Sequence, residues 1–267
     1  SFAAPAASDI NPAAASLSVT TSADTADGNT SSLDALVAQP GPDGAISLRE
    51  ALLATNAISG TAALTIGFNL PASGAGYDSA RKIWTITLGA LALPALSRGN
   101  LTIDGRSQPG GSASHPPIAI DGYAVYEAPG RSNGLTITSA KNTVRGLTLM
   151  NFYDDAILLD GAGAAFNQVA GCYLGAGPEG GAPRANSYFG VEIRAGAHDN
   201  LIGGAGPAAR NLIGSNDHSG VFIQGANTTH NTVAGSWIGA DASGQAPLGN
   251  QVAGVMISGG AHDNQIG

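Results

Sequence analysis

The sequence predicts an all-β chain: a right-handed parallel β-helix of three sheets, with an N-terminal cap containing one short α-helix. Three observations predict it. Short apolar segments punctuated by glycine and asparagine fill the C-terminal half. Those segments return in a register that persists over 64 residues. The composition joins 39 glycines and 14 prolines to 43% hydrophobic residues, with only 11% charged. A disordered chain lacks the apolar surface to offset its ordering entropy, so this composition points instead to short buried strands and many turns.

Residues 1–16 are Ala/Pro/Ser-rich and read as a flexible leader or linker. Residues 17–100 form a capping region. Leu17–Val19 is a short strand there, and residues 20–30 are a polar loop. A helix is expected over Ser47–Asn56, where Ser47 and Glu50 have the spacing of a capping box and Leu48, Leu52 and Leu53 make an apolar stripe. Strands follow at Leu64–Phe68 and Ile83–Leu88, then at Leu101–Asp104 and Ile118–Asp121, where the parallel β-helix of residues 101–267 begins.

The repeat is clearest from Gly134. Gly190-Val-Glu-Ile193 returns as Gly220-Val-Phe-Ile223 and Gly254-Val-Met-Ile257, with weaker copies at Gly134–Ile137 and Ala156–Leu159. Each copy is followed by an asparagine and a branched apolar residue: Asn142/Val144, Asn167/Val169, Asn200/Ile202, Asn231/Val233 and Asn264/Ile266. A third segment follows at Leu147–Leu149, Cys172–Leu174, Asn211–Ile213 and Ser236–Ile238. Successive starts lie 22, 34, 30 and 34 residues apart, so the longer copies carry insertions at 176–189, 204–210 and 240–252. Ala197-His-Asp-Asn200 recurs 64 residues on as Ala261-His-Asp-Asn264.

Strands this short bury nothing alone, but stacked turn on turn they enclose a continuous core. Side-chain alternation puts Val191/Ile193, Val221/Ile223 and Val255/Ile257 inside. Asn142, Asn167, Asn200, Asn231 and Asn264 fall where strands bend. Asparagine tolerates left-handed backbone and bonds to nearby main chain, so stacked amides there would form an asparagine ladder.

Ile46-Ser-Leu-Arg-Glu-Ala-Leu-Leu-Ala-Thr-Asn-Ala57 resembles the signature of the CSLREA family of bacterial exported proteins, with Ile46 in place of the family's leading cysteine. Leu101-Thr-Ile-Asp-Gly-Arg-Ser-Gln-Pro-Gly110 and Ile118-Ala-Ile-Asp-Gly122 are similar to its β-helix region. The resemblance spans roughly residues 17 to 267. It implies a secreted or bacterial cell-surface, adhesin-like protein and brings no catalytic residues with it.

Charge excludes some partners. A net charge of −8 with two lysines, Lys82 and Lys141, argues against nucleic-acid binding and against an anionic membrane surface. No apolar run reaches the ~18 residues of a spanning helix. One cysteine, Cys172, allows no internal disulfide, and it reads as a small buried thiol. Asp154, Asp155 and Asp160, near Arg145 and Lys141, form the densest acidic group, read either as catalytic carboxylates or, preferably, as turn residues. Glu192 and Arg194 point outward, with an ion pair to Asp160 expected. His198 and His262 are separated by two turns, roughly 10 Å, too far to share one metal ion. No metal, cofactor or catalytic residue is therefore assigned.

The outward apolar columns are the binding candidates: Leu158, Phe222 and Met256 on the first sheet, and Tyr173, Leu212 and Trp237 on the third. A glycan or a protein is the expected ligand there. The repeat reaches Gly267 in mid-turn, so either the chain continues or the end pairs with another subunit. Three functions follow: a structural or adhesive extracellular scaffold without catalysis, a polysaccharide-active enzyme, or a fibre subunit stacking through its coil ends.

Overall fold

The computed structural model describes residues 15–126 and 132–267. The chain is predominantly β, with few helices and three sheets of eight, seven and five strands. Among the described residues every strand pairing is parallel except that of Tyr77–Asp78 with Ile83–Thr87. From Leu135 the chain visits the sheets in rotation. Leu135–Ile137 joins the five-stranded sheet, Thr143–Arg145 the eight-stranded and Leu147–Met150 the seven-stranded. Ile157–Asp160, Gln168–Ala170 and Tyr173–Leu174 then pair beside them in the same order. The circuit repeats through Val191–Arg194, Ser219–Gln224 and Ala253–Ser258.

Alternation along these strands turns one apolar set inward. Ile157, Leu159, Val169, Leu174, Val191, Ile193, Ile202, Ile213, Val221 and Ile223 are all fully buried in one continuous cluster. Two columns of asparagine run through it. Asn142, Asn167, Asn200 and Asn231 each donate from Nδ2 to the Oδ1 of the next member, ending on Asn264, at 2.9, 3.0, 2.9 and 3.0 Å. Each accepting oxygen also takes the backbone N–H of the asparagine before it. Leu101 opens the column with its own N–H on Asn142 Oδ1. The ladder satisfies backbone donors that the bend leaves without a strand partner.

The second column was not read from the sequence. Asn186 Nδ2 donates to Asn216 Oδ1 at 2.9 Å, and Asn216 Nδ2 to Asn250 Oδ1 at 2.8 Å. Each lies four residues before a strand-opening glycine, Gly190, Gly220 or Gly254, and that spacing was the available signal.

The N-terminal region is pinned by the Ser47–Ala51 segment. Helix Leu48–Asn56 is capped by Ser47 in a complete capping box with Glu50. Glu50 also accepts from Asp27 N and Gly28 N, tying the preceding loop to the helix start. Arg49 makes a two-point pair with Asp24 at 2.8 Å and donates to the carbonyls of Leu91 and Ala92. Ile46 is buried. The region feeds the sheets directly, since Ala15–Val19 and Leu64–Phe68 are the first strands of the eight-stranded sheet.

Several expectations are corrected. Residues 1–14 of the leader lie outside the described residues, whereas Ala15 and Ser16 already belong to a strand. The region holds a second helix, Leu33–Ala38, capped by Ser32 and buried through Leu36. Its six residues are too few to show helical periodicity. The ladder asparagines are not the left-handed residues. Those are the residues just before them, Lys141, Phe166, Asp199, His230 and Asp263, with φ of 54–62°. The preceding residue makes the bend, which frees the asparagine to aim its amide along the column. Ile257, expected inside, is 42% exposed, because Ala253–Ser258 is the edge strand of its sheet among the described residues.

Candidate functional site

The outer faces of two sheets carry all six apolar binding candidates, and the structure treats the faces differently. On the five-stranded sheet the outward column is Thr136, Leu158, Glu192, Phe222 and Met256. Leu158 is 3% exposed and Glu192 also 3%, so the expectation of open positions fails there. Phe222 is half-buried against the Phe189 ring at 4.7 Å, which itself packs on His218 at 4.8 Å. Phe189 ends the 176–189 insertion, which folds back onto the sheet rather than away from it. Met256 is half-buried on the edge strand.

The charges on that face close on one another. Arg194 binds Asp160 at 3.2 Å and Glu192 at 3.1 Å, Asp160 and Arg194 being register neighbours. Gln224 Nε2 donates to Glu192. Asp155 is 1% exposed. Burial first, then the charges of Glu192 and Asp154, push its carboxyl up to about 9, so at neutral pH it holds a proton toward Glu192. Its Oδ1 accepts the Phe189 N–H. Of the three candidate catalytic aspartates, then, Asp155 is sealed inside and Asp160 is held by Arg194.

The outer face of the seven-stranded sheet is open. Tyr173, Leu212 and Trp237 stand at one register position on consecutive strands. They line a groove of about 380 Å³ with Arg106, Ser114, Pro207, Ala208, Arg210 and Ala242. Leu212, expected to be exposed, is its buried floor at 1% exposure, packed with Ala176 and Leu248. The cause is the pair of insertions. Each closes on itself through an antiparallel bridge, Ala176 with Pro183 and Ala240 with Pro247. They are joined by Ala242 N to Gly180 O at 2.9 Å. Gly180 lies so near Leu212 and Tyr173 that a Cβ there would meet both.

Tyr173 and Trp237 are half-buried walls. Burial raises the Tyr173 phenol's pKa, with the nearby Arg106 charge opposing. The Arg210 guanidinium stacks over the Trp237 ring, 4.4 Å from its centroid. Among the described residues no carboxylate lines the groove. Asp241, beside it, spends its carboxylate on its own loop, accepting from Ser243, Gln245 and Ala246, and the Ser243 bond first lowers its pKa.

Sequence reasoning found the aromatic walls and missed both arginines. Arg106 sits in a turn after Leu101–Asp104, and Arg210 ends the 204–210 insertion. The signal was their rarity: cations are few in a chain of net charge −8.

Elsewhere, His198 and His262 each bond the aspartate that follows, at 2.7 and 2.8 Å, and sit in isolated parallel bridges to Ala165 and Thr229 respectively. Among the described residues no three His, Cys, Asp or Glu side chains come together as a metal site. Cys172 is fully buried, and desolvation pushes its thiol up to about 11. Among the described residues no helix is long and apolar enough to cross a membrane. No family model, no curated protein and no solved structure matches this chain.

Proposed function

We propose that the protein is an extracellular or bacterial cell-surface right-handed parallel β-helix, a structural and adhesive scaffold without catalytic activity that holds carbohydrate on its seven-stranded face. The groove walled by Tyr173 and Trp237 carries this reading. Aromatic side chains offer rigid, apolar surfaces with polar tips, which suit the CH faces and hydroxyls of a sugar. The groove's size lies within the usual range of ligand sites. The right-handed sense follows from strand twist, which makes parallel crossovers right-handed almost without exception.

The scaffold reading is supported by where the acids are. Glycoside hydrolysis uses two carboxylates flanking the scissile bond, and among the described residues the groove lining contributes none. The buried carboxylates on the other face are engaged with each other and with Arg194.

Titration of the protein with neutral, uronic and sulfated oligosaccharides, followed by tryptophan fluorescence and calorimetry, tests this. Saturable binding that Tyr173→Ala weakens about tenfold, with no change in the saccharide by chromatography, is the expected result. Binding of none of the three classes would remove the function. Shortening of any of them would replace it with the enzyme reading.

A further inference from the structure

The two arginines of the groove differ from every other described arginine. Arg49, Arg81, Arg98, Arg145, Arg184 and Arg194 each donate from the side chain to a carboxylate or a carbonyl. Among the described residues, Arg106 and Arg210 make no side-chain hydrogen bond or ion pair, and both line the same cavity.

Their surroundings differ, Arg106 being exposed and Arg210 half-buried. Arg106 lies along a track that only glycine leaves open. A Cβ on Gly146 would stand 2.5 Å from its Cγ, and one on Gly171 would stand 2.9 Å from its Nη2. Gly146 and Gly171 have φ of 65° and 62°, where a side chain is disfavoured in any case. Arg210 is held by its stack on Trp237. Stacking uses the face of a guanidinium and leaves its N–H donors, which lie in the plane, free at the edge. The groove therefore presents two guanidinium groups without an ion-pair partner, one of them stacked on Trp237, and among the described residues no carboxylate lines it. In a protein of net charge −8, that is a local reversal of sign.

We propose that the groove is selective for acidic glycan, a chain of hexuronate residues whose carboxylates accept from Arg106 and Arg210 while a sugar ring lies against Tyr173. This rests on the carbohydrate-binding reading above and specifies its substrate class. Guanidinium matches carboxylate in a two-point geometry, and the partly enclosed site strengthens such bonds. The same cations could hold sulfate groups, so the source of the negative charge has to be distinguished.

The test compares oligogalacturonate, its methyl ester, neutral oligogalactose and a sulfated oligosaccharide on the wild type, Arg106→Gln and Arg210→Gln. Circular dichroism of each variant checks the fold. Oligogalacturonate is expected to bind best, and esterification to weaken it at least about tenfold. Each Arg→Gln change should cost about tenfold for the acid and leave the ester unchanged. Equal binding of acid and ester, or arginine variants that bind like wild type, would overturn the acidic selectivity and leave the carbohydrate function standing. Preference for the sulfated chain over oligogalacturonate would overturn the hexuronate assignment. Binding of no saccharide at all would overturn both.

Discussion

The molecule buries polar side chains both in its core and on its five-stranded face and solves the problem in opposite ways. Inside the core, Asn142 to Asn264 form a column of identical neutral amides. On the five-stranded face, Asp155 and Glu192 are buried as acids beside Arg194. An amide donates and accepts, so one residue type repeated at every turn closes the column without any proton. An ionised carboxylate only accepts, so the acidic pair needs a trapped proton and a neighbouring cation. The ladder is therefore indifferent to pH. The acidic pair is not.

The sharpest way to break this contrast is to put an acid into the ladder. Asn200 accepts from Asn167 through N and Nδ2, and donates to Asn231 Oδ1 and Ala164 O. Asn200→Asp would turn an oxygen toward those two acceptors. Denaturant unfolding should show a loss of about 4 kcal/mol at pH 8. The loss should shrink at pH 4, where the new acid is protonated and can donate once. Equal losses at the two pH values would mean that the column does not discriminate charge.

Asn200→Ala removes both functions and should cost about 3 kcal/mol with no pH dependence, because the partners left unpaired are neutral. Next in size, Arg194→Met strips the acidic pair of its cation. Glu192 remains buried, and the expected cost is about 2 kcal/mol, reduced by the partial exposure of the arginine. Arg210→Met, which breaks no ion pair, should cost under about 1 kcal/mol from the lost ring contact. Matching losses from the two arginine variants would show that the acidic face is less closed than its geometry.

The remaining effect is comparably small and has the opposite sign. The Asp155 carboxyl is raised from 3.8 to about 9 in the folded chain, so between those values the folded state holds a proton that the unfolded state releases. Its contribution to stability is present below pH 3.8 and is lost as pH rises toward about 9. Asp155→Asn keeps an acceptor for Phe189 N–H and gives Glu192 a permanent donor. It should stabilise the protein by about 1 kcal/mol at pH 8 and flatten the profile of melting temperature against pH. A variant less stable than wild type at pH 8 would mean that Asp155 is ionised there.

Much of this was legible in the residues. The Gly-Val-x-Ile copies carried the strand register, since a strand buried on one face admits no slip of one residue. The Asn-x-Val spacing carried the ladder positions, and Ser47 with Glu50 carried the helix start, because both are short-range patterns. The covering of Leu158 and Leu212 was not legible. Alternation tells which side of a strand a residue faces, and it says nothing of what a neighbouring insertion lays over that side. The second asparagine column was visible only as a spacing before glycine, which gains meaning once turns stack.

What the sequence determined alone was local and periodic: short strands returning in one register, their inward and outward residues, and the amide at each bend. The tertiary structure decided which outward faces were closed and which stayed open. The reason is that insertions of unequal length fold back across strands distant from them in sequence. That folding seals Leu212 against Ala176 and Leu248, and the stacking of strands brings Arg106 and Arg210, more than a hundred residues apart, to one groove.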